Sequence, residues 1–324
     1  MNGKISLEDH WESDRFSATG NHNFTKQDYY DRIEVRLREC EKRIEDMDKN
    51  GIQTAVLSFT QPGIEGICDT KEAIKLATEM NNYVAEKFIA KYPDRFRAFA
   101  ALPMQDPEAA AKELERTVKD MGFVGALING YSNIGDENTA QYLDEPQVWG
   151  FWEQVEKLDV PVYLHPRIPL PNQQRIFKDY DGLLGSAWWG SETGTHAVRL
   201  ILSGLFDKYP KLQVILGHLG EGLTFTLPRT EHRLAHQRQE THGAHKLPPM
   251  EYFQKSFYVT TSGIFRTQSL MNAMAELSSD RILFSVDYPY ETMEQIASWF
   301  DTCPISENDR VKMGYQNAAK LLKI

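Results

Sequence analysis

Short runs rich in β-branched and aromatic residues alternate along this chain with longer stretches whose apolar residues recur at helical spacing. The pattern predicts eight strands, at Lys4–Leu7, Gln53–Phe59, Phe96–Leu102, Phe123–Ile128, Val160–Leu164, Leu212–Gly217, Phe257–Thr261 and Ile282–Val286. Helices are expected at about Lys26–Asn50, Lys71–Tyr92, Pro107–Met121, Pro146–Leu158, Gly190–Tyr209, Gly222–His236, Thr267–Leu277 and Thr292–Phe300, with a last one near Glu307–Leu322. Asn50-Gly51, Met121-Gly122 and Tyr209-Pro210 each stop a helix just before a strand opens. Near-continuous apolar strands such as AVLSF and VILG suit parallel strands with helices on their outer side, because both strand faces are then buried. The repeat therefore predicts an α/β fold, a (β/α)8 TIM-type barrel occupying residues 1–324 as one domain. A doubly wound open sheet fits less well, since no GxGxxG turn follows the first strand and no Walker sequence occurs.

Two polar stretches break the repeat after strand ends, at 7–26 and at 166–190, the second carrying Trp188 and Trp189. Both belong to the C-terminal face of a barrel, where active sites are built from loops. A third excursion, Gln237–Pro249, contains His242 and His245, which read as solvated. With 46 acidic against 36 basic residues the formal charge is -10, which supplies no basic stripe for a phosphate backbone and argues against nucleic acid as a partner. No window approaches a membrane span and the N-terminal residues are acidic, so no membrane partner is expected and a cytoplasmic location is. Cys40, Cys68 and Cys303 are too scattered for a metal or disulfide framework and read as incidental thiols. Asn23-Phe24-Thr25 matches a glycosylation pattern that has no role in such a protein.

A closed barrel makes distant strand ends converge on one rim. The first strand leads into Glu8-Asp9-His10, the fourth ends at Asn129, the fifth at His165, the sixth at His218 and the eighth at Asp287. Two carboxylates and two or three imidazoles at one rim make a plausible divalent metal site. Glu8 and His10, two residues apart in an extended chain, share a face, which leaves Asp9 to point away and serve structure. His165 and Asp287 complete the ligand set from across the barrel, and the mixed nitrogen and oxygen donors suit zinc or manganese. Two carboxylates balance a dication, so an anionic substrate is compatible with the negative chain. In Gly217-His218-Leu219-Gly220-Glu221, Glu221 is placed to orient the His218 imidazole.

The segments GKISLEDHW, RFRAFAALPMQDP, GFVGALING, EKLDVPVYLHPR, GLFDKYPKLQVILGHLGEG, FYVTTSG and RILFSVDYPYE resemble the amidohydrolase-related non-oxidative decarboxylases, in order and through nearly the whole chain. The resemblance implies an amidohydrolase-like barrel holding one divalent ion, Zn2+ or Mn2+, on Glu8, His10, His165 and Asp287, with no organic cofactor. Hydrolytic members usually have His-x-His where this chain has Glu8-x-His10, and often a modified lysine where it has Asn129, which favours C–C bond chemistry here. It further implies aromatic residues flanking a substrate ring at Phe24 and Tyr290, and an arginine for substrate or interface contacts at Arg229. Asn129 is counted with them as substrate-binding; the tryptophan usual before the arginine is Pro228 here.

The implied reaction is reversible, non-oxidative decarboxylation of a small aromatic acid bearing an ortho hydroxyl, in the first instance 2,6-dihydroxybenzoate to resorcinol. Asp287 is the expected proton donor to the ring carbon, assisted by His218 and Glu221. A 2,3-dihydroxybenzoate- or salicylate-type acid, and metal-dependent hydrolysis, are the alternatives. A homotetramer or homodimer is also implied.

Overall fold

The structure is a computed structural model that describes residues 1–14, 26–236 and 245–324. Phe24, the Asn23 pattern and His242 lie outside the described residues. Eight parallel strands form the frame: β1 (Lys4–Trp11), β2 (Ile52–Phe59), β3 (Phe96–Ala98), β4 (Ala126–Asn129), β5 (Val162–His165), β6 (Val214–Leu216), β7 (Phe257–Thr260) and β8 (Ile282–Leu283). β1–β2–β3 and β4–β5–β6–β7–β8 pair in chain order. Single parallel bridges, Ala100 to Ala126 and Asp9 to Tyr288, join the two groups at both seams and close the ring. The expected barrel is therefore the observed one.

Its interior is filled by Ile5, Leu7, Val56, Phe99, Leu127, Tyr163, Ile215 and Leu283, with Ala318 and Leu322 of the last helix packed against them. A second, larger apolar layer lies between strands and helices. Local chemistry sets the helix limits. Helix Pro107–Met121 begins where the Asp106 carboxylate accepts the Glu108 and Ala109 N–H groups and ends at Gly122 in the left-handed conformation, φ 70°. Among the described residues no helix is long and apolar enough to cross a membrane.

Several expected boundaries move. β1 continues to Trp11 because His10 and Trp11 pair with Ser58 and Phe59, so Glu8 and His10 lie inside the strand instead of beyond it. β8 is shorter than its apolar run, since the backbone groups after Leu283 find other partners: Phe284 N–H donates to the Met313 carbonyl and Ser285 N–H to Thr261 Oγ1. The single helix expected over Lys26–Asn50 is two, Gln27–Arg38 and Cys40–Lys49. At the break the Leu37 carbonyl accepts the Glu12 N–H at 3.1 Å, tying the helix to the end of β1. An antiparallel hairpin, Ser132–Ile134 with Asp136–Gln141, follows β4 and was not anticipated.

As its alternation requires, Asp9 points away from the rim. Its carboxylate accepts from Ser6 Oγ at 2.5 Å and pairs with Arg43 Nη1 at 3.2 Å. Arg43 also donates to the His10 carbonyl and lies 4.6 Å from the centre of the Tyr288 ring. One buried guanidinium thus holds β1, the helix behind it and the chain after β8 together. Arg43→Ala strands the Asp9 carboxylate and is expected to lower unfolding free energy by about 3–5 kcal/mol in urea titration; a loss under about 1 kcal/mol, the scale of an exposed pair, contradicts this anchoring role.

Candidate metal centre and active site

Glu8, His10, His165 and Asp287 each present one donor atom, and these atoms lie within 4.8 Å of one another. β1 supplies Glu8 and His10, the end of β5 supplies His165, and Asp287 follows β8. Glu8 Oε1 is 3.2 Å from His165 Nε2 and 3.7 Å from His10 Nε2, and Asp287 Oδ1 is 3.3 Å from His10 Nε2. The opposite ring nitrogens are held: His165 Nδ1 meets Asn129 Oδ1 at 2.9 Å and His10 Nδ1 meets Ser58 Oγ at 3.3 Å.

Glu8 Oε1 and His10 Nε2 are fully buried and have no hydrogen-bond partner. Leaving polar atoms buried and unpaired is expensive, so a carboxylate oxygen and an imidazole nitrogen facing each other in this way fit a cation between them. Two oxygen and two nitrogen donors suit a divalent ion such as zinc or manganese.

His218 stands beside this cluster, with Nε2 4.0 Å from Glu8 Oε1 and 3.7 Å from Asp287 Oδ2. Its Nδ1 meets Glu221 Oε1 at 2.7 Å. Burial works against the His218 imidazolium, but the Glu221, Glu8 and Asp287 carboxylates outweigh it and raise its pKa well above the ordinary histidine value. Burial opposes ionisation of Glu8 as well, yet the surrounding imidazoles hold it well below the usual carboxylate range. His10 is pushed up to about 9: burial opposes its charge, and Asp287 and Glu8 more than compensate. His165 moves down, through burial and the neighbouring His10, and keeps a neutral ring with Nε2 free as a donor atom.

The backbone at the rim is unusual. His218, Leu219 and Glu221 have φ of 50°, 52° and 53°, and Asp287 has 78°. L-residues enter this left-handed region at a cost of about 1–2 kcal/mol each, and such positions gather at functional sites. The expected turn from strand to helix at Gly217–Glu221 is therefore a left-handed run that aims both His218 and Glu221 at the cluster. Gly263 completes the fit, since a Cβ there meets His218 Cδ2 at 2.8 Å.

A cavity of about 130 Å³ opens on His165, His218, Asp287 and Tyr290 and is walled by Tyr29, Tyr30, Ile33, Gln61, Pro166, Trp189 and Glu291. Tyr290 packs edge-on to His10, ring centres 5.5 Å apart, and its hydroxyl meets Thr60 Oγ1 at 2.5 Å. A wider cleft of about 790 Å³ adjoins it past Trp189, His218 and Glu221. Asn129, expected to touch substrate, is turned onto the back of His165 and is absent from the cavity wall. Arg229 lies exposed on helix Leu223–Leu234 and reaches neither cavity, so its expected contact with substrate is not made within this chain. Trp189 and Glu291 carried no signal beyond their place in irregular stretches that follow strand ends, and Tyr29 none beyond its place in the helix expected from Lys26.

An amidohydrolase family model matches residues 34–324. The chain belongs to the amidohydrolase family, within the group of its decarboxylases. It is 47% identical over 326 residues to the gamma-resorcylate decarboxylase of a Polaromonas species, covering 100% of this chain and 99% of that one. A crystal structure of dihydroxybenzoic acid decarboxylase from Polaromonas, with bound manganese and the inhibitor 2-nitroresorcinol, is similar at TM-score 0.95 and 47% identity, covering 100% of this chain and 97% of that one. A 2,6-dihydroxybenzoate decarboxylase complexed with 2,6-dihydroxybenzoate is also similar, at TM-score 0.95, 47% identity and 100% of both chains.

If the four donors share one cation, metal must displace the proton that His10 holds up to about 9. Apparent Mn2+ affinity of metal-stripped protein is then expected to rise about tenfold per pH unit between pH 6 and 8, and to collapse in Glu8→Gln. Calorimetric titration at several pH values measures both, and a pH-independent affinity contradicts the assignment.

Proposed function

We propose that the protein is a carboxy-lyase that removes carbon dioxide, reversibly and without oxidation, from 2,6-dihydroxybenzoate to give resorcinol. The whole chain, 1–324, acts as one catalytic domain. Glu8, His10, His165 and Asp287 would hold a divalent ion, zinc or manganese, which would supply Lewis acidity toward the substrate's oxygens, and no organic cofactor takes part. The manganese of the Polaromonas relative supports that metal first.

Direct loss of carbon dioxide from a benzoate leaves an aryl carbanion with no means of delocalisation. Proton transfer to the carboxyl-bearing carbon solves this, because the ortho oxygen then accepts electron density in a dearomatised keto form. When the C–C bond breaks, its electron pair returns to the ring, aromaticity is restored and carbon dioxide leaves. In this chain Asp287 delivers the proton. The observation that carries the reading is the division of its carboxylate: Oδ1 faces His10 in the ligand cluster while Oδ2 faces His218 at 3.7 Å. One oxygen is thus committed to the metal side, and the other is free to exchange a proton with the His218–Glu221 pair.

Tyr290 and Phe24 hold the ring and keep water from it, and Tyr29 fixes Tyr290 by donating to its carbonyl at 2.8 Å. Asn129 acts on the substrate through His165, whose ring it orients. The protein works as a homotetramer or homodimer in the cytoplasm, a reading supported by exposed Ile176, Tyr180 and Phe225, with Arg229 serving contacts between subunits. It takes neither nucleic acid nor membrane as partner.

Asp287→Asn is expected to reduce carbon dioxide release from 2,6-dihydroxybenzoate by at least about 100-fold, the scale of a lost general acid, with the fold retained. Retention of near-normal turnover removes Asp287 from the acid role. Because the hydroxyl must sit ortho to the carboxylate, 3- and 4-hydroxybenzoate should be inert in an ultraviolet assay. Fast release from either refutes chelation, and carboxylic acid production from esters or lactones in place of carbon dioxide would favour hydrolysis.

A further inference from the structure

Tyr163 carries a polar side-chain end into the apolar cluster that fills the barrel interior, where it is completely buried among Ile5, Leu7, Phe99, Ile215 and their neighbours. A phenylalanine would fill that space equally well, so packing does not explain the hydroxyl. The hydroxyl meets Glu8 Oε2, and it also meets Thr260 Oγ1 at 2.9 Å. Thr260 Oγ1 is 2.7 Å from Ser262 Oγ, and Ser262 Oγ accepts the His218 backbone N–H at 3.2 Å.

The two ends of this chain fix the direction of every bond in it. A backbone N–H only donates and an ionised carboxylate only accepts. Hence Ser262 donates to Thr260, Thr260 to Tyr163, and Tyr163 to Glu8. Glu8 Oε2 is thereby occupied, while Oε1 is bare and faces the imidazoles of His165, His10 and His218. Gly217 leaves the room for this contact: a Cβ there meets Glu8 Oε2 at 3.0 Å and the Tyr163 hydroxyl at 3.2 Å.

We propose that Tyr163, Thr260 and Ser262 are positioning residues, a one-way hydroxyl relay from the His218 main chain that makes Glu8 a ligand through a single oxygen. A carboxylate can bind a cation through one oxygen or through two. Holding Oε2 back keeps one more position at the cation open, and a substrate that chelates through its carboxylate and its ortho oxygen needs two. The relay also couples the left-handed turn at His218 to the orientation of Glu8. This inference rests on the proposed metal-dependent function and deepens it.

The test compares wild type with Tyr163→Phe, Thr260→Val and Thr260→Ser, each stripped and reloaded with Mn2+, with thermal melts as the control on folding. Water-proton relaxation by the bound Mn2+ reports how many coordination positions exchange with solvent. Tyr163→Phe frees Oε2 to bind the ion, so relaxation enhancement should fall; Thr260→Val leaves the Tyr163 donor on Oε2 but removes the hydroxyl that orients it, so its fall should be smaller. The KM for 2,6-dihydroxybenzoate should rise about 10-fold or more, the scale at which partners of metal ligands act, with a smaller change in kcat. Thr260→Ser retains the hydroxyl and should behave as wild type. Folded Tyr163→Phe protein with unchanged relaxation and unchanged KM overturns the relay, as does Thr260→Ser failing in the same way as Thr260→Val. Should wild type bind Mn2+ yet release no carbon dioxide, the functional reading fails, and the relaxation difference still decides on the relay.

Discussion

The site depends on the seam where the first strand meets the chain after the last. The N–H groups of Asp287 and Tyr288 both donate to the Glu8 carbonyl, at 3.1 and 3.2 Å, and His10 N–H returns the bond to the Tyr288 carbonyl at 2.6 Å. Ser285 Oγ accepts the Glu8 N–H at 2.7 Å. Residues from the two ends of the sequence are thereby locked in register, and the three donors nearest the seam, Glu8, His10 and Asp287, have almost no freedom relative to each other. A site on loops has to spend binding energy ordering itself; here closure of the cylinder has already done so.

That rigidity explains how the rim tolerates its electrostatics. Glu8 and His10 are wholly buried and Asp287 nearly so, and isolated charges in such a place are strongly unfavourable. The arrangement interleaves signs: each carboxylate oxygen that faces the cluster meets an imidazole nitrogen, and no two carboxylates are left to face each other alone. Three of the four clustered donors also have a fixed far side, Asn129 for His165, Ser58 for His10 and Tyr163 for Glu8. Those outer partners set ring tautomer and carboxylate direction, which a list of ligands does not convey.

Much of this was legible before any coordinates. Eight apolar runs separated by helical periodicity specify a barrel, and a barrel puts strand ends on one rim, so Glu8, His10, His165, His218 and Asp287 could be brought together from spacing alone. The helix expected at Pro107–Met121, closed by Met121-Gly122, is the one observed, because the chemistry that ends a helix is local. What escaped was set by tertiary partners. Glu39 is extended because its neighbour Leu37 serves the end of β1, and β8 stops early because Met313 and Thr261 take its backbone groups. Asn129 looked like a substrate residue since strand-end polar groups commonly face the mouth, but its amide is more useful behind His165. Positive φ at Asp287 and His218 has no signature in residue type, as aspartate and histidine are ordinary in the right-handed region too. Trp189 lies in a stretch without periodicity and Tyr29 at the start of a helix carrying two adjacent tyrosines, and in neither place does the sequence rank one aromatic residue above another.

The balance of charge links the site's two states. Without a cation, His10 and His218 carry protons drawn up by Glu8, Asp287 and Glu221, so the cluster neutralises itself with imidazolium. A dication held by the same donors would do the same work more compactly and would displace the His10 proton. His218 differs from His10 in that its Nδ1 meets the Glu221 carboxylate, at 2.7 Å. On the proposed function, the aromatic acid would meet two positive features, one in the Glu8–His10–His165–Asp287 cluster and one on His218. Asp287 stands between them, Oδ1 3.3 Å from His10 Nε2 and Oδ2 3.7 Å from His218 Nε2, and the left-handed backbone at Asp287 and His218 sets this arrangement, which the proposed division of its carboxylate requires.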